Sequence, residues 1–170
     1  MKNLLYRGLL AFAYLFLGCN DISIPKPHAM LRLEYPLPNY KKIPKDFPFD
    51  FEYNSLASLK KASKQAPNIE YNRMEATLYL SYLSVNNNID SLLNDAYKLP
   101  AKHMIKAEEI PEKIFLNNDN KTYGALFSVI GDAASQLQFF VTDSTKNFLM
   151  GSLYFYSRPN YDSIMPAAKY

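Results

Sequence analysis

Residues Ala133 to Tyr156, AASQLQFFVTDSTKNFLMGSLYFY, make two long apolar runs separated by a polar stretch from Asp143 to Asn147. Leu137, Phe139 and Val141 alternate onto one face, and Leu149, Leu153 and Phe155 do the same after the polar stretch, which predicts a β-hairpin. A two-stranded ribbon is marginal by itself in water, so the rest of the chain must supply strands and helices that bury these faces. With 170 residues the chain has room for one domain with a real core and too little for two. Its 14 Tyr and 11 Phe favour sheet.

In chain order, Leu31, Leu33 and Tyr35 alternate with polar residues and predict a short strand ended by Pro36. Phe47, Phe49, Phe51 and Tyr53 share one face of a half-buried strand. Residues Asn54 to Pro67 read as a surface helix or a loop, and Lys60, Lys61 and Lys64 as a solvated cluster. Ile69–Tyr71 and Ala76–Tyr82 suggest a hairpin across Asn72–Glu75. Asn86-Asn87-Asn88 is a turn in which the Asn88 side chain is placed to cap a helix, because Ile89, Leu92, Leu93, Ala96 and Tyr97 repeat at helical spacing. Ala101, Met104 and Ile105 continue the stripe past Pro100, which predicts a kinked helix, or two helical pieces, ending near Glu108. Lys113–Asn117 and Thr122–Ile130 flank the turn Asn118-Asp119-Asn120 and extend the opening hairpin into a four-stranded meander. Tyr123, Phe127 and Val129 oppose Leu126 and Ile130, so both faces of the sheet need cover, from helices on both sides or from a strong curl. Asp162-Ser163 is placed to cap a last short helix.

The amino end reads as an export signal. Lys2 and Arg7 precede ten apolar residues, Gly8 to Leu17, a run too short to span a bilayer as a stable helix. The junction Leu15-Phe16-Leu17-Gly18-Cys19 resembles the bacterial lipobox, with Phe16 where leucine is usual. Cys19 is the one cysteine in the chain, so no disulfide forms within it, and acylation of that thiol accounts for its position; the alternative is an uncleaved N-terminal anchor with an incidental cysteine. Several acyl chains, at about 0.8 kcal/mol per buried methylene, make a durable anchor. The expected organisation is a signal peptide over 1–18, a lipidated linker over 19–29 carrying Pro25 and Pro27, and a single domain over 30–170. Asn20 and Asp21 follow the cysteine without a run of acidic residues, which favours a protein facing the periplasm.

Without Lys2 and Arg7 there remain 17 basic and 16 acidic residues, scattered among one another, so no polyanion-binding footprint exists and no nucleic-acid partner is expected. Metal chemistry needs convergent ligands, and His28 and His103 are the only histidines. His103 lies beside Lys102 and Lys106 on a solvated polar face. Ser135, His103 and Asp143 lack the strained nucleophile turn of a serine hydrolase. Glu108 and Glu109 are an adjacent carboxylate pair at a helix end, and no glycine-rich phosphate loop is present. No catalytic residue, metal or cofactor is expected.

With these residues in view, the chain resembles the gliding-motility lipoprotein family GldD of Bacteroidota. The similarity rests on Cys19 with Pro25-Lys26-Pro27, Phe49-Asp50-Phe51-Glu52-Tyr53, Leu80-Ser81-Tyr82 with Asn86-Asn87-Asn88, and Lys102-His103 with Lys106-Ala107. It continues through Ala133-Ala134-Ser135, Gln138-Phe139-Phe140, Thr142 to Lys146 and Leu153-Tyr154-Phe155. Two departures are Pro100 within a usually uninterrupted helix and an end at Tyr170 where family members continue into a longer closing helix, so a truncated carboxyl end is expected. The resemblance implies a non-enzymatic accessory lipoprotein of gliding motility and type IX secretion, anchored through acylated Cys19 in the outer membrane and facing the periplasm. It also implies other proteins of that machinery as partners. Contact through a sheet edge, or through Asn86, Asn87 and Asn88 with Lys102 and His103, is the expected mode. The alternative is a small periplasmic protein that binds a ligand or acts on an envelope polymer; a deep polar pocket with paired carboxylates would favour it, and an exposed apolar patch the assembly role. The expected fold is α+β, a curved antiparallel sheet flanked by helices, similar in element order to a PsbP-like α/β/α sandwich.

Overall fold

The computed structural model describes residues 35–61 and 63–170. The expected signal peptide, Cys19, the linker and all but Tyr35 of the expected strand through Leu31, Leu33 and Tyr35 lie outside the described residues; Tyr35 itself is not in a strand.

The architecture is α+β. Strands β3 (Ser58–Lys61), β4 (Pro67–Tyr71), β5 (Ala76–Ser84), β7 (Glu112–Asn117), β8 (Thr122–Ser128), β10 (Ser135–Thr142) and β11 (Asn147–Phe155) form one open antiparallel sheet in the order β3-β4-β5-β11-β10-β8-β7. The hairpin that opened the sequence argument, β10–β11, holds its centre, with Phe139 opposite Gly151 and Val141 opposite Leu149. Helices α1 (Ile89–Ala101) and α2 (Tyr161–Lys169) flank the sheet. The remaining strands make two small pairs, β1 (Tyr40–Lys42) with β2 (Glu52–Asn54), and β6 (Ala107–Glu109) with β9 (Ile130–Gly131).

Strand alternation separates two cores. On one face Phe140, Phe148, Ala125 and Phe127 meet Leu92 and Ala96 of α1 together with Val85. Phe148 has no exposed surface and stacks on Phe140 with ring centroids 5.5 Å apart. On the other face Ile69, Leu80 and Leu149 lie beneath the segment from Ile43 to Ala57, while Ala167 and Ala168 of α2 line a cavity with Leu126, Leu137 and Leu153.

The β10–β11 turn is held by one carboxylate. Asp143 Oδ1 accepts from the backbone amides of Thr145 (2.9 Å), Lys146 (2.7 Å) and Asn147 (2.9 Å), and Oδ2 accepts from Asn147 Nδ2 at 2.6 Å. Partial burial pushes the Asp143 pKa up, but these hydrogen bonds outweigh it and hold the carboxyl well below its ordinary value of 3.8. A folded pKa below the unfolded one adds stability that is complete above the unfolded value and is lost as pH falls through the folded one. Asp143→Ala is expected to cost about 2 kcal/mol at neutral pH. In urea unfolding across a pH series, the gap to wild type should stay constant above about pH 5 and narrow as pH falls below 4.

Several local expectations are corrected. The Phe47–Tyr53 strand is reduced to β2, because Pro44 and Pro48 keep the preceding backbone out of a ladder. Its aromatic face survives as a stack, Phe47 on Phe49 at 6.0 Å and Phe49 on Phe51 at 5.7 Å. The stretch read as helix or loop contains β3, where Leu59 turns inward opposite Ile69. Asn88 does not cap α1 with its side chain; its Oδ1 accepts from the amide of Asn86 at 2.7 Å. The helix ends at Ala101, one residue past Pro100. Hydrogen-bonded turns follow, His103 N to Pro100 O and Met104 N to Ala101 O, so Met104 and Ile105 leave the apolar stripe and are exposed. Ile130 belongs to β9 and not to β8. The cap of α2 is Asn160, whose side chain accepts from Ser163 N at 3.2 Å, rather than Asp162 or Ser163.

Candidate functional site

The two edges of the large sheet differ in chemistry. At one edge β3 is four residues long, and Lys60 pairs with Glu70 at 3.0 Å. A short strand bearing lysine discourages pairing with another chain. At the other edge every residue of β7, Glu-Lys-Ile-Phe-Leu-Asn, is exposed. Ile114 is 63% exposed, Phe115 46% and Leu116 73%. Three consecutive large apolar side chains on an edge with no further partner strand among the described residues are what a monomeric sheet ordinarily avoids.

The apolar surface continues onto the α1 side. Ile114 and Leu116 share a face with Ala125 and Tyr123 of β8, opposite which they are registered. They line a cleft of about 210 Å³ with Tyr97, Ile89 and Leu93 of α1. Tyr97 also borders a second cleft of about 400 Å³ with Met104, Ile110 and Glu112. It donates to Glu112 Oε1 at 2.6 Å, a bond that, with slight burial, raises the phenol pKa and holds the ring between the two clefts. Beyond Met104, Ile105 is 94% exposed between Lys102 and Lys106. On the opposite face Lys113 Nζ lies 5.1 Å from the Phe115 ring centroid.

A different concavity lies on the α2 side. A trough of about 540 Å³ runs beneath Phe49 and Phe51 and over Tyr82, Phe139 and Leu149, closed at one end by Asp143 and Asn147. A smaller cavity of about 240 Å³ next to α2 shares Tyr71, Leu78 and Phe139 with it. The polar end is internally satisfied, since Tyr82 donates to Asn147 Oδ1 at 2.7 Å and Asn147 to Asp143.

Asn86, Asn87 and Asn88 are exposed at the start of α1, with Asn87 in the left-handed region at φ 56°. Lys102 and His103 follow its other end, roughly 20 Å away by helix rise, so the two groups are not one cluster. Lys102 is exposed; His103 is half-buried, and burial together with the Lys102 charge lowers its pKa. Ser135 is fully buried and donates to Leu137 O at 3.2 Å. It sits at the opposite end of β10 from Asp143, about 25 Å away along the strand, so no triad geometry forms. Among the described residues no three His, Cys, Asp or Glu side chains gather as metal ligands, and no helix is long and apolar enough to cross a membrane. The apolar edge was missed in sequence because Ile114-Phe115-Leu116 reads as core; only its flanks, Glu112-Lys113 and Asn117-Asn118, hinted at exposure.

The described residues thus form an α+β domain whose open antiparallel sheet has one short, lysine-bearing edge and one exposed apolar edge. The chain belongs to the gliding motility lipoprotein family GldD, whose profile matches residues 20–170. It is thus of a family of lipoproteins of gliding motility in the cell envelope. Comparison with curated proteins gives no match.

Proposed function

We propose that this protein is a non-catalytic assembly factor of the gliding apparatus and its associated type IX secretion machinery, tethered by acylated Cys19 to the outer membrane and facing the periplasm. It assembles through the exposed β7 edge. The observation that carries the reading is the exposed run Ile114-Phe115-Leu116 on a strand with no second neighbour among the described residues, in a chain of a gliding motility lipoprotein family. Main-chain groups of such an edge give affinity to an added strand, and the alternate side chains give it selectivity.

A deletion strain complemented with the wild-type gene or with Cys19→Ala tests the reading. Colony spreading and release of a type IX cargo are both expected to fail in the deletion, to return with the wild type, and to stay low with Cys19→Ala. Spreading and secretion that persist without the protein would refute the assembly role.

The aromatic trough supports a second reading, an envelope-ligand binder. Its volume falls in the range of small-molecule sites, and aromatic walls with one polar end suit an amphipathic ligand. Tyr82→Ala together with Phe49→Ala would then abolish activity while leaving the β7 edge intact.

A further inference from the structure

We propose that the β7 edge pairs with the β7 edge of a second copy of this chain, antiparallel and centred on Phe115, joining two seven-stranded sheets into one. The inference rests on the edge-docking role given above and names its partner. A continuous sheet preserves its faces across a two-fold axis, so each residue must meet one of its own parity. In the register centred on Phe115, Phe115 meets Phe115 of the second copy, and Ile114 meets Leu116 on the α1 face, twice by symmetry. Lys113 meets Asn117 and Glu112 meets Asn118, so no like charges oppose one another.

Neighbouring registers are worse. Centring on Lys113 sets lysine against lysine. Centring on Ile114 sets Lys113 against Phe115 and Glu112 against Leu116. Centring on Leu116 sets Phe115 against Asn117 and Ile114 against Asn118. Like charges or mismatched polar and apolar pairs directly across a ladder are unfavourable, whereas aromatic and aliphatic pairs stabilise it. The length of the overlap is bounded as well. Pro111 precedes β7 and cannot donate a ladder hydrogen bond, and the β7–β8 turn begins at Asn118, the residue that the symmetric register places just inside Pro111 of the other copy. The opposite edge, short and lysine-bearing at β3, offers no comparable self-complementary run.

Cysteine cross-linking on the full-length lipoprotein in isolated envelopes tests this, with the otherwise unsubstituted chain as control for Cys19. Directly opposed residues bring Cβ atoms to about 5 Å, near disulfide reach, while diagonal ones stay about 7 Å or more apart. Mild oxidation of Phe115→Cys is therefore expected to give a species of twice the monomer mass. Ile114→Cys and Leu116→Cys are each expected to cross-link only when coexpressed, and Lys60→Cys on the other edge not at all. Detergent-solubilised wild type should sediment as a dimer, and the Ile114→Lys, Leu116→Lys double variant as a monomer. Cross-linking of Phe115→Cys to a protein of different mass would overturn self-pairing while leaving the docking role standing. A monomer at all concentrations with no cross-link would overturn self-pairing too. A deletion strain that spreads and secretes normally would instead refute the assembly role even where the dimer forms.

Discussion

Phe148→Ala is expected to lower stability by about 3–5 kcal/mol, the range for truncating a fully buried phenylalanine in a core that cannot collapse around the gap. Phe148 is on the central strand, completely enclosed, and flat against Phe140 at an interplanar angle of 8°. It joins three elements: Val85 at the end of β5, Leu92 and Ala96 on α1, and Ala125 on β8. For a domain near the usual 5–15 kcal/mol of total stability, such a loss removes a third or more of it and lowers Tm by roughly 10 °C or more. Thermal unfolding followed by circular dichroism checks the expectation, and Phe148→Leu should cost clearly less. A change under about 1 kcal/mol for the alanine variant would mean that α1 is not seated on this face as described.

The second large effect concerns two glycines that differ in what confines them. A Cβ at Gly124 of β8 would run into the backbone carbonyl oxygen of Phe140 in β10, and 3.3 Å from Val141 Cα. That contact is backbone on backbone, so relief requires shifting one strand against the other across the β8–β10 ladder. Gly124→Ala is expected to cost about 3 kcal/mol, the upper end for overpacking. It should also loosen β7, which is attached through β8. At Gly151 the three atoms nearest to the added carbon all belong to the Phe139 ring, which covers the glycine from the neighbouring strand. Gly151→Ala should therefore be rescued in large part by Phe139→Leu, whereas no side-chain change at position 140 should rescue Gly124→Ala. Chemical denaturation of the two single and the two double variants separates the cases.

What could be read in the sequence was local. The hairpins β4–β5, β7–β8 and β10–β11 each consist of two apolar runs around a polar turn, so pairing partner and turn lie within one short window. The start of α1 was legible for the same reason, from Ile89, Leu92, Leu93 and Ala96 at helical spacing. The strand β3 was hidden because Leu59 is its one apolar residue beside Ser58, Lys60 and Lys61, too little for a period to show. The pair β6–β9 joins Ala107 to Gly131 across an intervening hairpin, and nothing in either segment announces the other. The adjacency of β5 and β11, which closes the sheet, is likewise non-local. That adjacency also determines which strands are left at the edges. The apolar edge is thus a consequence of strand order, which leaves Ile114-Phe115-Leu116 on a strand with no second neighbour among the described residues. Asn86–Asn88 and Lys102-His103 were read as polar surface groups by composition, but their separation by the length of α1 and the half-burial of His103 required the fold.

The central claim, that the β7 edge is where this lipoprotein does its work, is tested most directly by colony spreading of a deletion strain carrying the Ile114→Lys, Leu116→Lys double variant. Both positions are already more than half exposed, so the charges should leave folding and envelope abundance near wild type, which immunoblotting and thermal unfolding of the purified chain confirm. The account predicts a folded, membrane-associated protein that fails to restore spreading, while the same substitutions' counterpart on the far edge, Ser58→Lys, restores it fully. Full spreading with the doubly charged β7 edge would contradict it.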